Sequence, residues 1–108
     1  MQTIDHLDHD IFDLVLTVGP QLTAAEAPEL RSAFQARLEH ASGSVLLDMT
    51  GTETVDSVGV SLVVGLYQEC RQRGAHLQVA LGHPFAIKVF TVMHLHQHLD
   101  LIKVGTDG

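Results

Sequence analysis

The most informative polar residues in this chain lie in the tetrapeptide Asp56-Ser57-Val58-Gly59, which stands between a short apolar run and a long apolar segment. A serine in this place is typical of a helix N-cap, where its hydroxyl satisfies a free backbone N–H. Asp56 adds negative charge just ahead of it, which the positive end of a helix dipole favours. Gly59 allows close approach by another backbone segment. The tetrapeptide therefore predicts a polar helix start with Ser57 as its cap.

Histidines form a second group that could take part in chemistry, because His94, His96 and His98 alternate along the chain. On a strand all three would share one face, whereas on a helix only His94 and His98 would. Imidazoles bind metal ions, but no cysteine or glutamate cluster completes a ligand spacing here. The pattern favours exposed or helix-end histidines, and we predict no metal site and no cofactor.

Patterns for catalysis are not found in the sequence. Cys70, the one cysteine, falls on the apolar face of a predicted helix and is expected to be a buried, inert thiol. The glycines at 51, 59 and 65 match neither of the common phosphate-binding glycine patterns. No nucleophile, acid and base stand together, so we expect a protein that is not an enzyme.

Alternating strands and helices are predicted to position these residues. Strands are expected at 10–18, 44–49, 76–81 and 100–104, with a short one near 2–4, and helices at 58–73 and 85–93. An earlier helix has two candidate starts, Thr23 or Pro28, and continues to Ala41. This order predicts a single α/β domain over residues 1–108, with a mixed sheet of four or five strands and helices mainly on one face.

The helix predicted at 58–73 has two apolar stripes. One is expected to face the core. Its members are Gly59, Leu62, Val63, Leu66, Tyr67 and Cys70. The other begins at Ser57 and is less polar than a solvated helix face normally is. Its members are Ser57, Val60, Ser61, Val64 and Gln68. An exposed stripe of small apolar residues predicts a docking surface for another protein.

The stretch LLDMTGTETVDSVGVSLVVGLYQECRQRG resembles the centre of STAS domains of the anti-sigma factor antagonist type. Three features carry the resemblance: a strand ending in Leu47-Asp48-Met49, then Asp56-Ser57-x-Gly59, then an apolar helix ending in Arg73-Gly74. It extends over about residues 10–104. It implies that Ser57 is phosphorylated by a cognate anti-sigma factor, a serine kinase of the histidine-kinase-like ATPase type. It also implies that a PP2C-type phosphatase reverses this step.

The resemblance further implies a non-enzymatic regulator that binds the kinase only when Ser57 is unphosphorylated. The partner-binding residues that it implies are Asp56, Ser57, Val58, Gly59, Val60, Ser61 and Val64. Three departures leave the output pathway open. Thr23 replaces an acidic residue that is common in the family, and Val58 stands where serine or threonine often follows the phosphorylated serine. Residues 94–99 stand where the family usually has a segment like Thr-Gly-Leu.

Two other functions remain open: a STAS subunit docked on the nucleotide-binding subunit of a transporter, and a small-ligand sensor. The net charge of −7 argues against nucleic acid, because no basic stripe neutralises phosphates. The same charge argues against an anionic membrane surface. No signal peptide or membrane-spanning run is visible, so we expect a cytoplasmic protein without membrane insertion.

Overall fold

The structure is a computed structural model that describes residues 1–105, and parallel strands form its centre. The strands are β1 (Gln2–Ile4), β2 (Leu14–Thr17), β3 (Gln21–Leu22), β4 (Ser44–Met49), β5 (Thr54–Val55), β6 (His76–Leu81) and β7 (Asp100–Val104). The helices are α1 (Ala27–Leu38), α2 (Ser57–Gln72) and α3 (Pro84–Val92). Five strands form one sheet in the order β1-β7-β6-β4-β2, and β3 pairs with β5 separately.

Every strand pair among the described residues is parallel. The predicted α/β class and the five strands of the main sheet are confirmed, but the sheet is parallel throughout and not mixed. The cause lies in the connections: α1, α2 and α3 each return the chain to the edge where the next strand starts. The segment between β1 and β2 also crosses the sheet, so the first strand has the same direction as the others.

Different parts of the chain pack against the two faces of the sheet. In β4, Val45, Leu47 and Met49 face a main core that includes buried residues of all three helices. Leu46 faces the other way and packs with two neighbouring strands and with Phe12 of the N-terminal segment. This alternation follows from the period of two along a strand. All three helices therefore lie on one face, as predicted.

The start of α1 decides between the two predicted positions. The helix begins at Ala27, with Pro28 in its first turn, where the absent N–H of proline costs nothing. Residues 23–26 form a separate turn ahead of it, in which the Thr23 backbone N–H and hydroxyl both donate to Glu26 Oε1, at 2.8 and 2.6 Å. The helix ends at Leu38, three residues before the predicted end.

The fold places the starts of α2 and α3 at the same edge of the sheet. Both helices follow the carboxyl ends of adjacent parallel strands, β4 and β6. The small β3–β5 pair lies at this edge and leads into α2, and the Asp56 N–H donates to the Leu22 carbonyl at 3.3 Å. Within residues 1–105, no helix has both the length and the apolar character needed to cross a bilayer.

Candidate functional site

Asp56, not Ser57, is the N-cap of α2. Its backbone is extended, and its Oδ1 accepts the Gly59 N–H at 2.9 Å. Ser57 is the first residue of the helix, so the prediction that it is the cap is wrong by one position. The short strand β5 keeps the chain extended through Asp56, which places that carboxylate over the free N–H groups of the first turn. The Ser57 side chain is therefore not used for capping.

The Asp56 carboxylate also joins α2 to the turn before α1. Its Oδ2 accepts the backbone N–H of Ala24 at 3.0 Å. The N–H groups of Gly59 and Ala24 hold the pKa of Asp56 below its usual range, because both bonds favour the ionised form. A fixed negative charge therefore stands beside Ser57 at neutral pH.

Gly59 is buried against β3. A Cβ atom at this position would overlap the Leu22 carbonyl oxygen and touch the Leu22 side chain. The predicted close approach of another backbone at Gly59 is thus confirmed. The same contact buries Gly59, so this residue is not part of the exposed surface of α2.

Val60 is likewise a core residue and does not lie on the exposed stripe where it was predicted. It is 4% exposed and belongs to the main core with Leu62, Val63 and Leu66. The prediction placed Val60 on the outer stripe. The buried face of α2 is wider than predicted, because α1 and β5 pack against the helix as well as β6 of the main sheet. Val60 is therefore not part of the exposed surface of α2.

The remaining predicted residues do form a continuous surface on α2. Ser57 and Ser61 are exposed and lie one turn apart, while Val58 is 41% exposed. Asp56 and Val64 are half-buried at its margin. We call these five residues the α2 surface. It combines hydroxyl groups, small apolar side chains and one carboxylate.

Thr52 was missed by the sequence analysis. It is fully buried, and its hydroxyl donates to the Gly19 carbonyl at 2.8 Å. This bond holds the loop before β5 against the loop before β3, which keeps those two short strands in register. Nothing in a Thr-Gly-Thr-rich loop distinguishes Thr52 from its neighbours, because its partner lies 33 residues away.

The remaining chemically interesting residues lie elsewhere. His94 has a left-handed backbone and precedes a short 3₁₀ turn at Leu95–Gln97, so the three histidines lie on neither a strand nor an α-helix. Within residues 1–105, no three His, Cys, Asp or Glu side chains are grouped closely enough to hold a metal ion. Cys70 is buried as predicted, and burial raises the pKa of its thiol.

A groove of about 660 Å³ lies beside the start of α1. Its lining includes Pro20, Gln21, Leu30 and the carboxylates of Glu26 and Glu29. The groove is open to solvent, and its two carboxylates disfavour an anionic occupant. It is the feature that a small-ligand sensor would use.

A parallel sheet with helices on one face and a capped helix start at its edge is the arrangement expected of a STAS domain. The family model described as "Mlab, STAS domain" matches residues 6–103, which is well over half of the chain. The chain therefore belongs to the STAS domain family, whose members have regulatory and protein-binding roles. No curated protein matches the chain closely enough to count as a relative.

Proposed function

We propose that this chain is a non-enzymatic, cytoplasmic regulator of the anti-sigma factor antagonist type, switched by phosphorylation of Ser57. The observation that carries the proposal is the position of Ser57. It is exposed on the first turn of α2, and capping by Asp56 leaves its hydroxyl free of that task. A kinase can reach this hydroxyl without any unfolding of the domain.

Phosphorylation at Ser57 is compatible with the folded domain. A phosphoryl group adds about −1.5 to −2 charge. The helix start offers backbone N–H groups and a positive dipole end, which stabilise a phosphate at this place. The fold is therefore expected to persist in both states of the switch.

The same charge opposes contact with a partner. A phosphate on Ser57 stands next to the fixed charge of Asp56 and the exposed Val58 side chain. Burial of both charges in an interface brings like-charge repulsion and desolvation. A difference of about 3 kcal/mol weakens binding roughly 150-fold. One covalent change thus releases the partner.

The partner in this proposal is the cognate anti-sigma factor, a serine kinase of the histidine-kinase-like ATPase type, which binds unphosphorylated Ser57. A PP2C-type phosphatase restores binding. Support for these identities comes from the resemblance around Asp56-Ser57-x-Gly59 and from membership in the family. The exposure of Ser57, Val58 and Ser61 on one surface is consistent with them.

The test is phosphosite mapping by mass spectrometry on protein from its native cells, with pull-downs of wild type, Ser57→Ala and Ser57→Asp. Ser32→Asp is the matched control, because Ser32 is exposed on α1 and lies outside the α2 surface. We expect phosphate on Ser57, a kinase captured by Ser57→Ala, and loss of that kinase with Ser57→Asp but not with Ser32→Asp.

Two results contradict the proposal. One is a lack of phosphate under every growth condition together with identical partners for all forms. The other is stable co-purification with a transporter's nucleotide-binding subunit regardless of the residue at 57, which assigns the transporter-subunit function instead. Binding of a small molecule that depends on Glu26 and Glu29 would favour the sensor function.

A further inference from the structure

Helix α3 is apolar on both sides. Ala86 and Phe90 are fully buried against the sheet. On the outside, Phe85 is 48% and Val92 64% exposed, and Met93, at the end of the helix, is 47% exposed. A surface helix normally presents polar residues to solvent. Three of the six large apolar side chains exposed among residues 1–105 are thus gathered on one short helix and its C-cap.

A groove of about 420 Å³ runs between this helix and β7, and it carries positive charge. Its lining includes Ile87, Val92, Lys88 and Lys103. The last two are the only lysines of the chain. Within residues 1–105, neither ammonium group lies within 4.0 Å of a carboxylate. In a chain of net charge −7, the groove is a local positive, apolar surface.

We propose that the outer face of α3 is a second protein-docking surface, which binds an acidic amphipathic helix of a partner protein. Charge complementarity determines that the partner helix is acidic. Its carboxylates pair with Lys88 and Lys103, while its apolar side chains cover Phe85 and Val92. The spacing of Phe85, Lys88 and Val92 at i, i+3 and i+7 presents one face of α3 over about two turns. That is the length over which two short helices pack.

The overall charge favours this occupant over a membrane. A chain with a net charge of −7 is repelled by an extended anionic lipid surface. A short acidic helix interacts mainly with the two nearby lysines, because more distant charges are screened at physiological ionic strength. The proposal does not depend on phosphorylation of Ser57, because its residues lie on a different helix.

The first test uses three synthetic amphipathic peptides of about four turns. They share one leucine face and carry glutamate, glutamine or lysine on the other. Binding is followed by amide shifts of the isotope-labelled protein. We expect the glutamate peptide to bind most tightly, to shift amides of α3 and Lys103, and to weaken as salt is raised. Equal binding of the glutamate and lysine peptides, or shifts confined to other elements, overturns the proposal.

Variants then assign the binding to this face. Lys88→Glu combined with Lys103→Glu is expected to weaken the glutamate peptide about tenfold or more. Arg37→Glu combined with Arg73→Glu, which makes the same change of net charge elsewhere on the surface, is the control. Val92→Ser should also weaken binding, and Ile11→Ser, at a position 69% exposed and outside α3, should not. Equal losses in variant and control contradict the assignment.

Two further measurements distinguish the proposed acidic helix from two other occupants of this face, a membrane and a second copy of the chain. Binding to vesicles of equal phosphatidylcholine and phosphatidylglycerol, stronger than to the glutamate peptide and lost with the lysine variant, would assign the face to a membrane. A dimer in sedimentation experiments that dissociates in Val92→Ser would assign it to a second copy of the chain. Either result overturns the proposal.

Discussion

The Asp56 carboxylate accepts the backbone N–H of Ala24 at 3.0 Å, although the two residues are 32 positions apart. The other oxygen of the same carboxylate caps α2 through Gly59. One side chain therefore fixes the turn before α1 to the start of α2, directly beside Ser57. The candidate phosphorylation site is consequently held between the start of α2 and the turn before α1.

Replacement of Asp56 separates its two roles. Asn keeps an oxygen for the Gly59 N–H but presents an amide group toward Ala24, whereas Ala removes both acceptors. We expect the urea midpoint at pH 7 to fall in the order wild type, Asp56→Asn, Asp56→Ala. Because the folded pKa of Asp56 is lowered, its contribution is present above the unfolded pKa and is lost as pH falls through the folded pKa. Equal midpoints for all three proteins would contradict this role.

Two glycines of α2 are expected to respond oppositely to alanine. Gly59→Ala should destabilise the domain by about 1–3 kcal/mol, because its Cβ would overlap the Leu22 carbonyl oxygen and force β3 away. Gly65→Ala, in the same helix, should stabilise it by about 0.5–1 kcal/mol, since the nearest atom is Arg31 Nη1 at 3.9 Å. Denaturant unfolding measures both, and a shift of the same sign in the two variants would refute the steric argument.

Val58 and Val60 distinguish binding from folding. Val60→Ala should lower the free energy of unfolding by roughly 1–3 kcal/mol, because the side chain is in the core. Val58→Ala should change it by less than about 0.5 kcal/mol, because the side chain is 41% exposed. If the α2 surface binds the partner, Val58→Ala weakens that binding at unchanged stability. Calorimetry with the captured kinase and thermal unfolding of each variant test the two effects.

Asp48 anchors the N-terminal segment across the face of the sheet that lacks helices. Its Oδ2 lies 2.8 Å from His9 Nε2, and its Oδ1 accepts the Thr50 N–H and hydroxyl at 2.9 and 2.6 Å. Burial raises the pKa of Asp48, but the hydrogen bonds from Thr50 and His9 outweigh it and hold the pKa below its usual range. The ionised form is therefore the one that stabilises the fold.

We expect Asp48→Asn to cost about 1–3 kcal/mol at pH 7. The difference from wild type should narrow below about pH 4, because the contribution of a group with a lowered folded pKa is lost as pH falls through that pKa. Asp10→Asn, an exposed change of equal charge, is the control. The free energy of unfolding of wild type and both variants is measured between pH 3 and 7. If the difference between wild type and Asp48→Asn is constant across that range, ionisation of Asp48 is not the cause of the stabilisation.

Much of the fold followed from local pattern. The bounds of β4, β6 and β7 agree with the prediction residue for residue, because each is a short, mainly apolar run of strand-forming residues. The ends of α2 and α3 are displaced by only one residue. The two-residue strands β3 and β5 were not predicted, since a pair of residues has no periodicity to detect.

By itself the sequence determined which chemistry stands at the start of α2: a carboxylate, a hydroxyl and a glycine, in that order. The tertiary structure alone decided that Asp56 is the cap, that Leu22 covers Gly59, and that Val60 faces inward while Val58 faces solvent. It also brought Lys88 and Lys103 to one groove. The physical reason is common to all of these. Local spacing sets the period of an element, but the partners of its side chains come from segments far along the chain, which only strand pairing and helix packing bring together.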